Sequence, residues 1–359
     1  MQCEDVTFTW SESDPGQPAR AVLLRLIALT DFAYDDGNLA PYLMRRGPDG
    51  AWSLTLRLPS TLRSSYQFCP VRDASLAGQL ERDELTEDGW AQVMALGEPD
   101  PLRPPTFTAG TVYGNPAQPP SLVELSEALP QPWSARRPGV SYANLTRHEL
   151  GSSVVHVHQP LGAEQLAIVF DAGFWLAADI GAVLDNLQAD QAVQATMTVA
   201  VESIHGARRH LGLTHPELFE PFLVDELLPW LRTEWSMAGP AVLYGQSLGG
   251  LTVCWAGLRH PTLFDRVITS SMAAWWPGDG QGGLSGAQVV AAYGQADPAP
   301  LRFFLEVGGN ERELLSSVRD FHDVLCRRSY EVRYREYDGG HDIACWRGGL
   351  ADGLIALSS

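Results

Sequence analysis

Cysteine is scarce in this chain and carries no pattern: Cys3, Cys69, Cys254, Cys326 and Cys345 are odd in number and scattered, with no Cys-x-x-Cys pair. That excludes a disulfide framework and the common zinc and dithiol arrangements, and predicts reduced thiols, most of them buried. Positive charge is also short. With 25 Lys and Arg against 43 Asp and Glu, the formal net charge is −18, a field that repels nucleic acid and anionic lipid alike. An anionic ligand would need a local basic pocket. Long apolar runs are missing, since nowhere do about 18 consecutive apolar residues occur. The opening MQCEDVTFTW is acidic and polar, unlike the basic-then-apolar start of a secretory leader. The expectation is a cytoplasmic protein with neither a membrane nor a nucleic-acid partner.

What is present is a globular composition, 359 residues with 45% apolar and 19% charged, sufficient for a full core and more than one domain. Up to residue 97 the chain shows short alternating runs, Val6 to Trp10, Ala21 to Leu26, Trp52 to Leu58 and Ser64 to Cys69. Turn clusters such as 13–16 and 47–50 separate them, which predicts an antiparallel β-sandwich over 1–97. Residues 98–135 are dense in proline, which removes backbone donors and favours extended chain, so they read as a linker. From 136 to 359, buried-strand runs such as Leu166 to Phe170, Ala241 to Tyr244 and Phe303 to Val307 alternate with helical patterns. The fold class predicted is α/β: a mainly parallel sheet with helices on both faces, preceded by the sandwich domain.

In the second region the run Ala241 to Tyr244 leads into Gly245-Gln246-Ser247-Leu248-Gly249-Gly250 and then into a helical stretch. Strand, Gly-x-Ser-x-Gly, helix is the pattern of a nucleophile elbow, in which glycines relieve the crowding of a very tight turn. The pentapeptide alone is weakly specific; its flanks make it informative. A serine nucleophile needs a base, and in this fold the order is Ser, acid, His. His260 ends the helix that Ser247 begins and reads as a cap, and His322 sits in an amphipathic helix. His341 follows the last strand in Asp338-Gly339-Gly340-His341-Asp342 and is the expected base. Glu311, after the penultimate strand, is the expected acid, with Glu313, Asp338 and Asp342 as rivals and a Ser-His dyad also open. For the oxyanion hole, the N–H of Leu248 and that of Gly173, in the turn after LAIVF, are the candidates. His205, His210 and His215 recur every five residues, a spacing that suits no usual zinc pattern, and His156 and His158 read as structural.

These landmarks, with the ending Gly339-Gly340-His341-Asp342 running through Cys345-Trp346-Arg347-Gly348-Gly349-Leu350, resemble the enterochelin (enterobactin) esterases, a branch of the esterase D-like α/β hydrolases. Asp100-Pro101-Leu102, Trp275-Trp276-Pro277 and Leu305-Glu306 belong to the same resemblance, which covers most of the chain. It implies hydrolysis of the ester bonds of a ferric catecholate trilactone inside the cell, with no resident cofactor or metal, iron arriving only with the substrate. Such a complex is a trianion, so cations near Ser247 are required; Arg209, where the family carries a basic residue, Arg208 and Arg347 are the candidates. Trp175, Trp275 and Trp276 are candidate walls for catechol rings. Another esterase on this scaffold, such as a feruloyl-type enzyme, and a binding protein on an inactive hydrolase fold are the alternatives.

Overall fold

The computed structural model describes all residues except 1, 13–15, 106, 108–117, 144 and 359. The turn cluster expected at 13–16 therefore lies largely outside the described residues. Two compact units divide the chain. One contains Met1–Pro130 with Gly308–Glu311 and Tyr337–Cys345; the other contains Gln131–Val307, Arg312–Glu336 and Trp346–Ser359.

The first unit holds two three-stranded antiparallel sheets. Strands β1 (Cys3–Trp10), β2 (Ala21–Leu26), β3 (Arg45–Arg46), β4 (Trp52–Pro59), β5 (Arg63–Val71) and β6 (Ser121–Glu124) are ordered β1-β4-β3 in one and β2-β5-β6 in the other. Period-two alternation turns Val6, Phe8 and Trp10 of β1 inward, where they meet Val22, Leu24, Tyr66 and Phe68. Each such side chain, fully buried, contributes roughly 1.5–3 kcal/mol. Three helices, α1 (Ile27–Asp35), α2 (Ala74–Glu81) and α3 (Glu87–Ala95), complete the unit. The sequence reading had not foreseen them, because they are short and weakly periodic. The expected linker is also more structured than proline content alone implies. Glu98 bridges to Phe68, Asp100 is buried and accepts from Tyr66 Oη at 2.6 Å, and Ser121–Glu124 pairs with β5 as an edge strand. Tertiary pairing overrides composition there.

The second unit is built on an eight-stranded sheet. Its strands are β7 (Thr146–Leu150), β8 (Ser153–His158), β9 (Gln165–Phe170), β10 (Thr196–Ser203), β11 (Ala241–Gln246), β12 (Phe264–Ser270), β13 (Arg302–Gly308) and β14 (Glu331–Tyr337). Their order is β14-β13-β12-β11-β9-β10-β8-β7. Pairings among β9, β10, β11, β12 and β13 are parallel, and β8 and β7 join antiparallel at one side. The intervening helices are α4 (Ala172–Ala177), α5 (Ile180–Ala189), α6 (Arg209–Thr214), α7 (Pro216–Pro221), α8 (Leu228–Trp235), α9 (Leu248–Arg259), α10 (Gly286–Gln295), α11 (Arg312–Arg327) and α12 (Ile343–Ala356). Helix α11 shows why such stretches coil: Leu314, Val318, Phe321 and Leu325 fall on one buried stripe. In the parallel part of the sheet the carboxyl ends of β9, β11, β12 and β13 share one edge, where this architecture places its ligands.

Candidate active site

Ser247 sits between β11 and α9 with φ 54° and ψ −123°, a left-handed-side conformation that costs a non-glycine residue energy and is kept where a turn over-determines it. Its N–H donates to the carbonyl of Ser270 at 3.2 Å, and its own carbonyl accepts from Gly250 and Ala273 at 3.0 Å each. The glycines differ in what they do. A Cβ on Gly245 would lie 2.2 Å from the Gly249 carbonyl oxygen, and one on Gly250 would lie 2.6 Å from Thr269 Oγ1 and 2.9 Å from Met272 Cβ. On Gly249 it would meet nothing closer than Phe170 Cβ at 3.5 Å. The tight turn thus needs glycine at 245 and 250, not at the last position of the pentapeptide. Leu248 opens α9, so its N–H is among those a helix start leaves without an intrahelical acceptor.

His341 and Glu311 lie in the two short segments that group with the first unit. The His341 Nδ1 is 2.7 Å from Glu311 Oε2. A carboxylate only accepts, so Nδ1–H donates and Nε2 is left with its lone pair, the tautomer a general base needs. Glu311 is buried, and its other oxygen accepts from the Gly308 N–H at 2.7 Å. The rival carboxylates are engaged elsewhere. Glu313 is exposed on α11, Asp338 pairs with Thr61 Oγ1, and buried Asp342 accepts from Ser65 N–H at 2.5 Å and Ser65 Oγ at 2.9 Å. Burial pushes the Asp342 carboxyl above its ordinary range, with the Ser65 and Ala344 N–H groups opposing that. Gly340 presses on α1, where a Cβ would lie 2.7 Å from Ala28 Cα. Of the two neighbours of His341, Asp342 is thus bonded to β5 and Gly340 lies close against α1.

The turn after β9 carries a linked set of side chains. Asp171 has φ 64° and ψ 50°, and both its oxygens are gripped by Arg209, Nε and NH2 each at 2.6 Å. Asp171 also accepts from Gln246 Nε2 at 3.0 Å, and Gln246 Oε1 accepts from Trp175 Nε1 at 3.2 Å. Gln246 directly precedes Ser247, so this network ties the turn holding Gly173 to the nucleophile's strand. Gly173 is the second residue of α4, and a Cβ there would meet nothing within 4 Å. Arg209 is thus engaged by a carboxylate, while Arg208 is exposed and has no ion pair among the described residues.

Two expectations need correcting. Trp175 is wholly buried against Tyr244, so its ring is part of the core and not a catechol wall. Arg347 is buried on α12 with Nε donating to Gln131 at 2.9 Å, which makes it a packing contact and not an open cation. Trp275 remains 49% exposed and meets Trp276 edge-to-face at 6.1 Å. The pair sits one turn from the nucleophile, because Ala273 N–H reaches the Ser247 carbonyl and Trp276 N–H reaches that of Ala273. Asp171 and Gln246, which organise this region, were not picked out from the sequence. Their place beside Gly173 and Ser247 was the available signal. Among the described residues no group of three His, Cys, Asp or Glu side chains gathers as a metal-ligand set.

A model of the putative esterase family matches residues 158–357, and one of the N-terminal part of enterochelin esterase matches residues 5–134. The chain belongs to the putative esterase family, with an N-terminal part of the enterochelin esterase type. It is a carboxylic ester hydrolase of the α/β class. It is 28% identical over 372 residues to the iron(III) enterobactin esterase of Escherichia coli O6:H1, covering 98% of this chain and 91% of that one. The crystal structure of the ferric enterobactin esterase of Salmonella typhimurium superimposes with a TM-score of 0.84 at 25% identity, covering 98% and 92% of the two chains. That of the Shigella flexneri enterobactin esterase, obtained in the presence of enterobactin, gives 0.79 at 25% identity and the same coverage.

Proposed function

We propose that this esterase hydrolyses the ester bonds of ferric catecholate trilactones of the enterobactin type, in the cytoplasm, with Ser247 as nucleophile, His341 as general base and Glu311 as the acid that orients it. The observation that carries the chemistry is the 2.7 Å contact of His341 Nδ1 with buried Glu311, which reserves Nε2 for proton transfer. Likeness to enterobactin esterases along 98% of the chain supports the substrate.

In this mechanism Ser247 Oγ attacks a lactone carbonyl carbon while His341 Nε2 takes the hydroxyl proton. The developing oxyanion rests on the N–H groups of Leu248 and Gly173. Collapse breaks the bond to the alkoxy oxygen, which leaves as an alcohol carrying the proton from His341. Water, deprotonated by the same imidazole, then releases the acid and restores Ser247. Successive hydrolysis of the three esters, through linear trimer and dimer, separates three bidentate arms that had acted at high effective concentration, and the metal's hold is lost. Iron is cargo here; no step on the protein requires it. Arg208, exposed and without an ion pair among the described residues, supplies local positive charge against the overall −18, and Trp275 offers a flat apolar face.

Incubation with ferric enterobactin and, separately, with a simple aryl ester tests this. Chromatography should resolve linear trimer, dimer and monomeric dihydroxybenzoyl-serine from the first. Cleavage of the aryl ester alone would reassign the substrate class.

A further inference from the structure

Between β12 and α10 the chain runs through Trp275-Trp276-Pro277-Gly278-Asp279-Gly280-Gln281-Gly282-Gly283. Gly278, Gly280 and Gly282 all stand at positive φ, at 91°, 71° and 103°. A segment this rich in glycine loses much conformational entropy when ordered, so it holds one shape only if something pins it. The pin is Asp279. One carboxylate oxygen accepts from Gln281 N–H at 2.8 Å and Gly283 N–H at 3.2 Å; the other is 2.7 Å from His215 Nε2. The second ring nitrogen of His215, Nδ1, is 2.7 Å from Glu217. His215 is itself fixed, lying between α6 and α7, where Leu284 N–H donates to the Thr214 carbonyl at 2.7 Å and Thr252 Oγ1 of α9 donates to that of Leu213 at 2.5 Å. Gly286 N–H returns to the Trp276 carbonyl at 2.8 Å.

We propose that His215 and Asp279 are a positioning pair for the tryptophan turn, holding Trp275 and Trp276 beside Ser247 for an aromatic acyl group, here the catecholate arm. The inference rests on the esterase reading above and deepens it. Carboxylates face both ring nitrogens, and since each only accepts, the imidazole satisfies both only as the imidazolium. The ionisable groups against it are Asp279 from the glycine loop and Glu217 from its own helix; the one charged side chain of α9, Arg259, is at that helix's far end. Hydrogen bonding to Asp279, then to Glu217, raises the His215 pKa above its ordinary 6.5, and His215 with the loop N–H groups holds Asp279 down at about 2. The sign follows from linkage. A raised histidine contributes fully at low pH and is lost as pH rises through its folded value, whereas a depressed carboxylate is lost only as pH falls toward about 2. The pin is therefore strongest below the folded His215 value and weakens as pH rises through it, when the imidazole can serve only one of the two carboxylates.

The test follows Trp275 directly, as the difference in emission between the protein and its Trp275→Phe variant, titrated upward from neutral pH. The wild type should show a transition, Asp279→Asn should show none, and Glu217→Gln should move the midpoint to lower pH without touching the loop. In kinetics, Asp279→Asn should raise KM for the ferric catecholate about tenfold, leaving its kcat and the turnover of a small acetyl ester within about twofold. An unchanged Trp275 titration in both variants would overturn the proposal, as would equal losses on both esters. A wild type inactive on the catecholate would defeat the functional reading instead, and the emission arm would still decide the pair.

Discussion

Between Ala241 and Arg259 the surroundings of Ser247 are made largely by sequence neighbours, a strand, a turn relieved by glycine and a helix. Those of His341 come from far away: Asp342 is tied to Ser65 across 277 positions, Cys345 Sγ reaches the Arg63 carbonyl across 282, and Gly340 lies on Ala28. The residues proposed as nucleophile and base thus owe their local settings to different parts of the chain. The proposed nucleophile is set by β11, α9 and their neighbours in the sheet. The segment that carries the proposed base is held by β5 and α1 of the first unit.

The comparison can be broken at several strengths. Removing the reactive group has the largest effect: Ser247→Ala should cut kcat by more than about 10³-fold while equilibrium binding of the ferric ligand persists. A smaller loss would reassign the nucleophile. Glu311→Gln should follow with a loss of about 10²-fold or more, because an amide can present its N–H to Nδ1 and favour the wrong tautomer; single-turnover rates on a fast aryl ester measure it. On the distant side, Gly340→Ala should cost about 1–3 kcal/mol in urea unfolding, since its new Cβ meets Ala28 backbone, and should lower kcat more than it raises KM. If it left kcat intact, the N-terminal sheets would not steady the base.

On the local side the two adjacent glycines separate. Gly250→Ala should destabilise by about 1–3 kcal/mol through its contact with Thr269 and Met272, and Gly249→Ala, which meets only ordinary packing, should stay within about 1 kcal/mol. Thermal unfolding compares them. The smallest effect is electrostatic. Arg208→Ala should weaken the ferric trianion a few-fold, fading with added salt, and leave a neutral ester alone. Arg209→Ala should impair both, because it releases Asp171 and the turn that holds Gly173.

Legibility in the sequence tracks the same divide. The runs LAIVF and AVLY and the amphipathic helix around His322 emerge as β9, β11 and α11 because continuous burial and a 3.6-residue stripe are properties of a few consecutive residues. The elbow could be read for the same reason, although which glycine is sterically required could not, since that depends on Thr269 and Met272 of the neighbouring strand's exit. Pairing partners were hidden. Arg209 as a free cation, Trp175 and Arg347 as substrate contacts, and 98–135 as a tether were inferences from residue type, and each met a partner contributed by distant chain: Asp171, Tyr244, Gln131 and β5. Among the acid candidates, position after the penultimate strand favoured Glu311, and Glu311 is the carboxylate that lies 2.7 Å from Nδ1.

By itself the sequence determined the class of fold and the strand–turn–helix around Ser247, because each follows from local stereochemistry and hydrophobic period. Only the tertiary structure decided which carboxylate holds His341, that Arg209 grips Asp171, and that Asp279 closes on His215. Each of these is a polar contact between side chains far apart in the chain, and only folding brings such groups within hydrogen-bonding distance.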